Sequence, residues 1–483
     1  MTLSPLRCLE RARDLFAAHT GIVDGDRRFR YAEFADRAQR LAGALLEQGL
    51  EPGEPVAFLC RNGHVLLEAY FGVPLAKGLI LPLNIRLAEP ELALILRHCG
   101  ARFLFYAEEF AALAKQFHSP HAIQFGDRYE QMLALAKPVE IGTLDENSPA
   151  SLFYTSGTTA EPKGVVHSHR ALYLHALSVA LTFHIDDSTV ELYTIPLFHA
   201  NGWGRPHAAT LMGARQVLLP RFTPLEVFRL IEEERVTSMC LVPTMAQALL
   251  ATEGSDVSSI KEIHLGGSAV SAELIARLED RFRCLCTTGY GMTETGPVAT
   301  TGRPKRGTPA RLHQAGWPVV GATVRVEAPR DGLTAGEVLI GGDHLMSGYW
   351  GESARDTEFI RTGDVATWDS ENYLRIVDRK KDIVISGGEN ISSAEVESAI
   401  GTHPAVEECA VVAVPDAKWG EVPMAYVVRS APVTEEELVV WLAGRVARFK
   451  IPKHWLFVPG PLPRTATGKL AKIKLSEVPH SSD

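Results

Sequence analysis

Short apolar runs alternate with longer amphipathic stretches over about the first 360 positions of the chain. The apolar runs predict buried strands at 56–60, 102–106, 151–154, 190–195, 216–219, 238–242 and 262–265. Apolar residues recurring at helical spacing predict helices at 31–48, 171–182 and 271–281. Regular alternation of strand and helix indicates α/β layers with a mostly parallel sheet.

The pattern changes after about position 320, where short strands separated by turn residues take over. These strands are predicted at 323–327, 336–340, 373–376, 383–386, 408–414 and 425–428. A Ser392–Glu395 capping box begins one helix, and a second helix is predicted at 434–447. We therefore predict an α/β protein with a large multi-layer N-terminal domain of mixed sheets (1–379) and a small mobile α+β C-terminal domain (380–483).

Composition narrows the class of protein. Of 483 residues, 46% are hydrophobic and 22% charged, a globular balance that excludes collagen-like, disordered and disulfide-scaffold chains. A net charge of -9 argues against nonspecific nucleic-acid binding. The stretch from Arg445 to Ser476 nevertheless has no acidic residue. Its eight basic residues form either a solvated face or a polyanion site.

The cysteines and the absence of long apolar runs bear on location. The seven cysteines show no zinc-ligand spacing, so we expect buried free thiols in a reducing compartment. The N-terminus lacks the apolar core of a signal peptide, and no apolar run reaches the ~20 residues of a membrane span. A cytoplasmic protein is expected.

The strongest local motif is the loop from Tyr154 to Gly164, which is dense in Ser, Thr and Gly and contains Lys163. Hydroxyl and free backbone N–H groups suit a polyphosphate, although polar surface turns share this composition. The order of residues is not that of a Walker loop.

Four weaker motifs follow along the chain. They are Tyr290–Thr295, in which Glu294 is a hard oxygen ligand for Mg²⁺; Thr362–Asp364; Asp378–Ile391; and Pro463–Lys469. Taken alone, Glu294 is more often a solvated surface residue than a ligand, Thr362–Asp364 is a common turn, and a C-terminal Lys such as Lys469 is usually solvated.

Together, in this order, the five motifs resemble the adenylate-forming superfamily, which includes acyl-CoA synthetases, luciferases and peptide-synthetase adenylation domains. The resemblance covers nearly the whole chain. It implies that a carboxylate attacks the α-phosphate of ATP, that acyl-adenylate and pyrophosphate form, and that the thiol of CoA then takes the acyl group. ATP, Mg²⁺ and CoA are the implied co-substrates and ion.

The resemblance also implies roles for single residues. Catalysis falls to Lys469, which bridges the carboxylate and the α-phosphate, with Thr293, Glu294 and His199. ATP binding falls to Thr155, Ser156, Gly157, Thr158, Thr159, Lys163, Gly267, Ser268, Tyr290, Gly291, Asp364 and Arg379. Within this set, Asp364 and Arg379 would bind the ribose hydroxyls, and Tyr290 and the turn at 266–268 would pack against adenine. Glu294 is the implied metal ligand and Lys381 the implied hinge of the rotating small domain. One departure is Ala160, where the loop usually has a third Gly.

CoA binding is implied for Gly387, Gly388, Trp419, Phe449 and Lys453. The two aromatic residues would flank the CoA adenine, and Lys453 would meet its phosphate. The alternative for Trp419 and Phe449 is burial in a core, and for Lys453 simple solvation.

The segment from Pro196 to Gly204 is similar to the fatty acyl-CoA synthetase branch, in which a Trp gates the acyl tunnel. Acyl-binding residues are therefore expected at His199, Asn201, Trp203, Gly266 and Gly291. The stretch just before Phe198, Thr194-Ile-Pro-Leu, has no Asp where amino-acid-activating relatives anchor an ammonium. The resemblance therefore implies an acid with an uncharged tail, such as a medium- or long-chain fatty acid.

Three alternatives stay open: another acid such as an aryl acid, a carrier-protein thiol in place of CoA, and a non-catalytic nucleotide-binding paralogue. Partners are expected to be small molecules, without nucleic acid, and a homodimer is expected by analogy only.

Overall fold

The computed structural model describes residues 2–155, 163–254, 256–306, 312, 314–327, 335–386, 389–464 and 470–477. The chain divides into two compact units. The first comprises Met1–Val324, Ile340–Ile360 and Glu371–Tyr373, and the second Arg325–Leu339, Arg361–Ser370 and Leu374–Asp483. The boundary expected between residues 379 and 380 stays a prediction.

The α-helices of the described residues are α1 (Leu6–Leu15), α2 (Tyr31–Glu47), α3 (His64–Leu75), α4 (Glu89–Cys99), α5 (Ala111–Gln116), α6 (Asp127–Leu135), α7 (His169–Thr182), α8 (Arg205–Met212), α9 (Pro224–Glu234), α10 (Pro243–Leu250), α11 (Ala272–Phe282), α12 (Ser393–Gly401) and α13 (Glu435–Leu442).

The strands are β1 (Thr20–Asp24), β2 (Arg27–Arg30), β3 (Pro55–Leu59), β4 (Leu79–Pro82), β5 (Phe103–Tyr106), β6 (His121–Gln124), β7 (Pro149–Thr155), β8 (Lys163–Ser168), β9 (Val190–Tyr193), β10 (Arg215–Leu218), β11 (Ser238–Leu241), β12 (Glu262–Leu265), β13 (Leu285–Tyr290), β14 (Thr300–Thr301), β15 (Trp317–Pro318), β16 (Ala322–Glu327), β17 (Gly336–Gly342), β18 (Gly348–Tyr349), β19 (Phe359–Trp368), β20 (Leu374–Arg379), β21 (Val384–Ser386), β22 (Glu389–Ile391), β23 (Val406–Asp416), β24 (Gly420–Arg429) and β25 (His454–Val458).

Two large sheets build the first unit. One has the order β15-β14-β13-β12-β11-β9-β10-β1-β2 and the other β18-β8-β7-β4-β3-β5-β6. Their central neighbours run parallel, including β11 with β12 and β12 with β13. Antiparallel pairs occur toward the ends of the sheets. The expected α/β fold with mostly parallel sheet is confirmed.

The helices of the first unit cover these sheets with their apolar faces. Helix α3 is buried on every side, which is why its sequence carries no amphipathic pattern and the pattern analysis missed it. Its Phe71 meets Phe34 of α2 edge to face, with ring centroids 5.8 Å apart. No helix among the described residues is long and apolar enough to cross a membrane.

The second unit is α+β. It carries most of a sheet with the order β16-β17-β19-β20, and a sheet β22-β21-β24-β23 to which β25 adds in parallel beside β24. Helix α13 ends at Leu442, earlier than expected, and Gly444 follows with a φ of +81° that helical continuation does not allow. Ser392 caps α12 as expected, but the Glu395 carboxylate pairs with Lys450 at 2.7 Å instead of closing the capping box.

The basic stretch from Arg445 to Ser476 carries less uncompensated positive charge than its sequence suggests. Lys450 pairs with Glu395, Arg464 with Glu408 at 2.6 Å, and Lys472 with Glu397 at 2.7 Å. Acidic residues elsewhere in the second unit thus compensate part of the basic stretch.

Candidate active site

The two ends of the hydroxyl-rich loop lie opposite each other. Strands β7 and β8 pair antiparallel, and their register sets Thr155 against Lys163. The Lys163 ammonium lies 5.0 Å from the centroid of the Tyr349 ring. Ser156, Gly157, Thr158 and Thr159 lie outside the described residues.

The same tyrosine also contacts a buried carboxylate. Glu294 belongs to a short 3-10 turn directly after β13 and is only 6% exposed. The Tyr349 hydroxyl donates to Glu294 Oε1 at 3.1 Å. Burial, and next the charge of Glu294, raises the pKa of Tyr349, so its hydroxyl keeps the proton that it donates. Tyr349 thereby joins Lys163 to Glu294.

Sequence reasoning missed Tyr349. It lies on a strand of two residues, too short to show any periodicity. Its part in the site arises from contacts with residues that are distant in the sequence.

The donor set fits a hydrated Mg²⁺ bound together with phosphate. Among the described residues, no group of three or more His, Cys, Asp or Glu could form a metal cage. Magnesium usually takes one or two protein carboxylates and completes its shell with water and substrate phosphates. Glu294, which Tyr349 links to Lys163, is a carboxylate of the kind that could serve as that ligand.

The wall behind Thr293 is neutral. A small cavity there is lined by Thr293 together with His167, His175 and His344. Burial lowers the pKa of His167 and that of His344 to about 4, and that of His175 well below its usual value. These imidazoles are uncharged near neutral pH, so they add no positive charge to the cavity beside Thr293.

Two turns predicted to bind adenine leave adjacent parallel strands. Strand β12 runs into Gly266, Gly267 and Ser268, and its neighbour β13 into Tyr290 and Gly291. Carboxyl ends of neighbouring parallel strands are the usual place for ligands in α/β sheets. A Cβ at Gly291 would lie 2.6 Å from the carbonyl oxygen of Pro297, so this position requires glycine.

The Trp203 side chain lies against Gly266 and Gly267. A Cβ at Gly266 would lie 2.9 Å from Cη2 of the indole and 3.1 Å from the carbonyl oxygen of Gly289. Trp203 has a φ of +57°, a left-handed conformation that is rare for a bulky residue and marks a constrained turn. His199 is half-buried just before that turn. The side chain of Asn201 lies outside the described part of the chain.

Asn62 and Tyr70 fix the segment that leads to His199. The Asn62 amide donates to the carbonyl oxygens of Tyr193 and Ile195 at 3.0 and 3.1 Å, and its oxygen accepts from the Leu197 N–H at 2.7 Å. Tyr70 donates to the Leu197 carbonyl oxygen. The sequence analysis missed both residues, although a polar Asn just beyond the carboxyl end of a buried strand was a signal that could have found one of them.

The second unit holds the two residues assigned to ribose. The antiparallel register of β19 and β20 sets Asp364 against Arg379, and Arg379 Nε lies 2.7 Å from Asp364 Oδ1. Asp364 is buried, whereas the Arg379 side chain is 43% exposed. Neighbouring Asp378 is also buried, and it accepts from the Ser393 hydroxyl at 2.8 Å at the start of α12.

The residues assigned to CoA include two exposed aromatic side chains. Trp419 is 40% and Phe449 45% exposed, which excludes the alternative that they belong to the core. The ammonium groups of Lys418 and Lys453 both lie 4.8 Å from the centroid of the Trp419 ring. Gly387, Gly388 and Lys469 lie outside the described residues, and Lys381 is exposed in a turn after β20.

Turns that follow the carboxyl ends of parallel strands, as here, are a common place for nucleotides in α/β enzymes. The chain belongs to the AMP-binding enzyme family, whose model matches residues 9–350. The model of the AMP-binding enzyme C-terminal domain matches residues 395–469. The resemblance to adenylate-forming enzymes is confirmed.

Several known proteins that are similar over nearly the whole length are CoA ligases. The long-chain-fatty-acid–CoA ligase of Thermus thermophilus is 38% identical, covering 97% of this chain and 94% of its own. The 4-hydroxybutyrate–CoA ligase 2 of Metallosphaera sedula is 34% identical, covering 98% and 94%. The o-succinylbenzoate CoA synthetase of Bacillus subtilis, solved with its acyl-adenylate, has a TM-score of 0.88 at 30% identity and covers 98% of both chains.

These findings establish an enzyme. The chain is an AMP-forming acid–thiol ligase that makes acyl-CoA from a carboxylic acid, with ATP and CoA as co-substrates and Mg²⁺ as the ion. The non-catalytic alternative is thereby set aside.

Proposed function

We propose that this ligase activates a fatty acid with an uncharged tail, of medium or long chain, and then transfers the acyl group to CoA. The observation that carries the proposal is the Trp203 indole, which lies on Gly266 and packs against a buried apolar cluster whose members include Phe183, Val298 and Ala209. An apolar side chain at this point can be displaced by an alkyl chain without leaving a charge unpaired. A further support is the similarity to a long-chain-fatty-acid–CoA ligase.

The chemistry needs alignment and positive charge more than acid–base groups, because one anion attacks another in line. His199 and Gly266 would border the carboxylate, while Thr155 and Lys163 would hold the terminal phosphates of ATP. Glu294 would hold Mg²⁺, which when bound neutralises phosphate charge. Lys469 would bridge the carboxylate and the α-phosphate. Residues after Lys381 would rotate between the two half-reactions, so that the CoA-binding residues replace Lys469.

The test is a panel of straight-chain acids with ATP, Mg²⁺ and CoA, with AMP release as the readout. We expect AMP to depend on both the acid and CoA. Replacing CoA by a carrier protein tests whether the acceptor is a carrier-protein thiol. Aryl acids in the same panel test whether the substrate is an aryl acid. Release of AMP with aryl acids alone would contradict the proposed substrate.

The proposal places the reaction in the cytoplasm, on a homodimer by analogy with similar synthetases. The seven cysteines, which form no disulfide, are consistent with a reducing compartment. Light scattering of the purified enzyme measures the oligomeric state directly.

Asp364→Asn should raise the KM for ATP about tenfold, because a carboxylate that accepts from both ribose hydroxyls loses charge-assisted hydrogen bonds. The variant should also discriminate less against 2′-deoxy-ATP. Arg361→Ala, an exposed side chain on the same strand, is the matched control. An unchanged KM for ATP in a folded Asp364→Asn protein would remove the ribose role.

Trp419→Ala should raise the KM for CoA about tenfold and leave acid-dependent exchange of pyrophosphate into ATP unchanged, since base stacking on an aromatic ring contributes ~1–3 kcal/mol. Val440→Ala, at an exposed apolar position of α13, is the control. Loss of exchange activity as well would point to a structural effect and count against CoA binding at Trp419.

A further inference from the structure

A buried polar cluster lies behind the acyl-binding residues of the first unit. It consists of Glu191 on β9, Arg205 at the start of α8, Cys240 on β11 and His264 on β12. The side chains of Arg205 and Glu191 are 3% and 2% exposed. The register of the parallel strands pairs Cys240 with His264, so the cluster spans adjacent strands of one sheet face.

Arg205 is under-satisfied within this cluster. Its Nη1 reaches Glu191 Oε2 at 3.5 Å, a long contact, and its Nη2 has no hydrogen-bond partner among the described residues. Buried polar atoms are nearly always hydrogen-bonded, and a guanidinium group has five N–H donors. A buried donor without a partner therefore points to a group that arrives with a ligand.

The cluster is continuous with the proposed path of the acyl chain. Arg205 follows Trp203 by two residues, and His264 on β12 precedes Gly266 by two residues. The ring of Phe183 contacts both, with Arg205 Cζ 4.6 Å from its centroid and the His264 ring centroid also at 4.6 Å. Trp203 packs against the same apolar cluster. A tail that takes the place of the indole would run along Phe183 to Arg205.

The charges of the cluster select the kind of group that would fit. Arg205 and Glu191 cancel each other. Burial, and next the nearby charges of Arg205 and Arg303, hold the pKa of His264 well below its usual value, so this imidazole is neutral. A second carboxylate on the acid would leave an excess negative charge in the interior, which is unfavourable. A neutral oxygen that accepts a hydrogen bond has no such cost.

We infer that the preferred acid carries a hydroxyl or carbonyl oxygen at the far end of its tail, and that Arg205 Nη2 donates to it. This inference rests on the proposed acyl-CoA ligase function and specifies its substrate class. Arg205 is then a specificity-determining residue, and Glu191 positions it.

The first test compares matched acids with the wild-type enzyme. Alkanoic acids of increasing length are assayed beside their ω-hydroxy and (ω-1)-oxo partners and the corresponding dicarboxylic acids, by kcat/KM for AMP release. We expect at one length a preference of about 10²-fold or more for the hydroxy or oxo acid, because a site built to hydrogen-bond an oxygen rejects the analogue without it. The dicarboxylic acid should be a poor substrate.

The second test removes both charges together. The double substitution Glu191→Val with Arg205→Leu removes both partners, whereas a single substitution would leave one charge buried without its partner. The double variant should lose the preference for the oxygenated acid and gain kcat/KM for the alkanoic acid. Arg215→Leu, a half-exposed arginine on neighbouring β10, is the matched control. Should the double variant fail to fold, the wild-type panel decides alone.

The outcomes separate the two proposals. If no acid releases AMP, the proposed function itself fails. If alkanoic acids are used as well as or better than their oxygenated partners, the function stands and the inference is wrong. A preference for the dicarboxylic acid would likewise contradict the inference that the tail carries a neutral oxygen.

Discussion

Glu294→Gln is expected to slow acyl-adenylate formation by about 10²–10³-fold and to raise the Mg²⁺ concentration needed for half-maximal rate. The carboxylate is buried, and it accepts a hydrogen bond from Tyr349, whose ring lies against the Lys163 ammonium. Glutamine keeps the size and can still accept from Tyr349, so the variant should fold. What it loses is the negative charge that a hard divalent cation requires.

The measurement is acid-dependent exchange of pyrophosphate into ATP, titrated with Mg²⁺. Tyr349→Phe is the matched control, because it removes the hydroxyl that donates to Glu294 and leaves the carboxylate in place. We expect that control to cost about tenfold, the lower end of the ~1.5–3 kcal/mol that one hydrogen bond to a charged group contributes. A Glu294→Gln enzyme with normal exchange at low Mg²⁺ would show that the ion is held elsewhere.

The sequence predicted the large features of the fold because they follow local patterns. Strand β12 was predicted at Glu262–Leu265, where it is found, since a short apolar run bounded by polar residues and glycines leaves few alternatives. Helix α3 was missed because a helix buried on all sides has no polar face. Helix α13 was drawn too long because the pattern continues through Gly444, whose backbone does not continue the helix.

For the candidate site, the sequence offered residues that stand in recognisable motifs, and it missed the residues that hold them in place. Glu294 and Asp364 sit in recognisable stretches, but Tyr349, Asn62 and the Arg205–Glu191 pair act through contacts that only the folded chain creates. These residues and the partners they contact are separated in the sequence by loops and strands whose path no local pattern predicts. The basic tail illustrates the same limit, because its compensation by Glu395, Glu397 and Glu408 is invisible in a charge count.

Lys469→Ala is expected to separate the two half-reactions. Adenylation should fall by about 10³-fold, because a fixed cation that bridges the carboxylate and the α-phosphate is lost where negative charges must approach each other. Thioester formation from supplied acyl-adenylate should stay within about threefold of the wild-type rate. In that step a thiol attacks the acyl group, and no second anion has to approach the α-phosphate.

The residues around this lysine favour a specific effect over a folding defect. On either side of 465–469, the Ala471 N–H donates to the Pro463 carbonyl oxygen at 2.8 Å, and Leu462 and Leu475 are buried in one apolar cluster. Removing a side chain between such fixed flanks should leave the second unit folded. Lys474→Ala, an exposed lysine of the same tail, is the control and should leave both half-reactions unchanged. Equal loss in both half-reactions for Lys469→Ala would contradict the bridging role, because a residue that acts only on the α-phosphate has no part in the attack of the thiol.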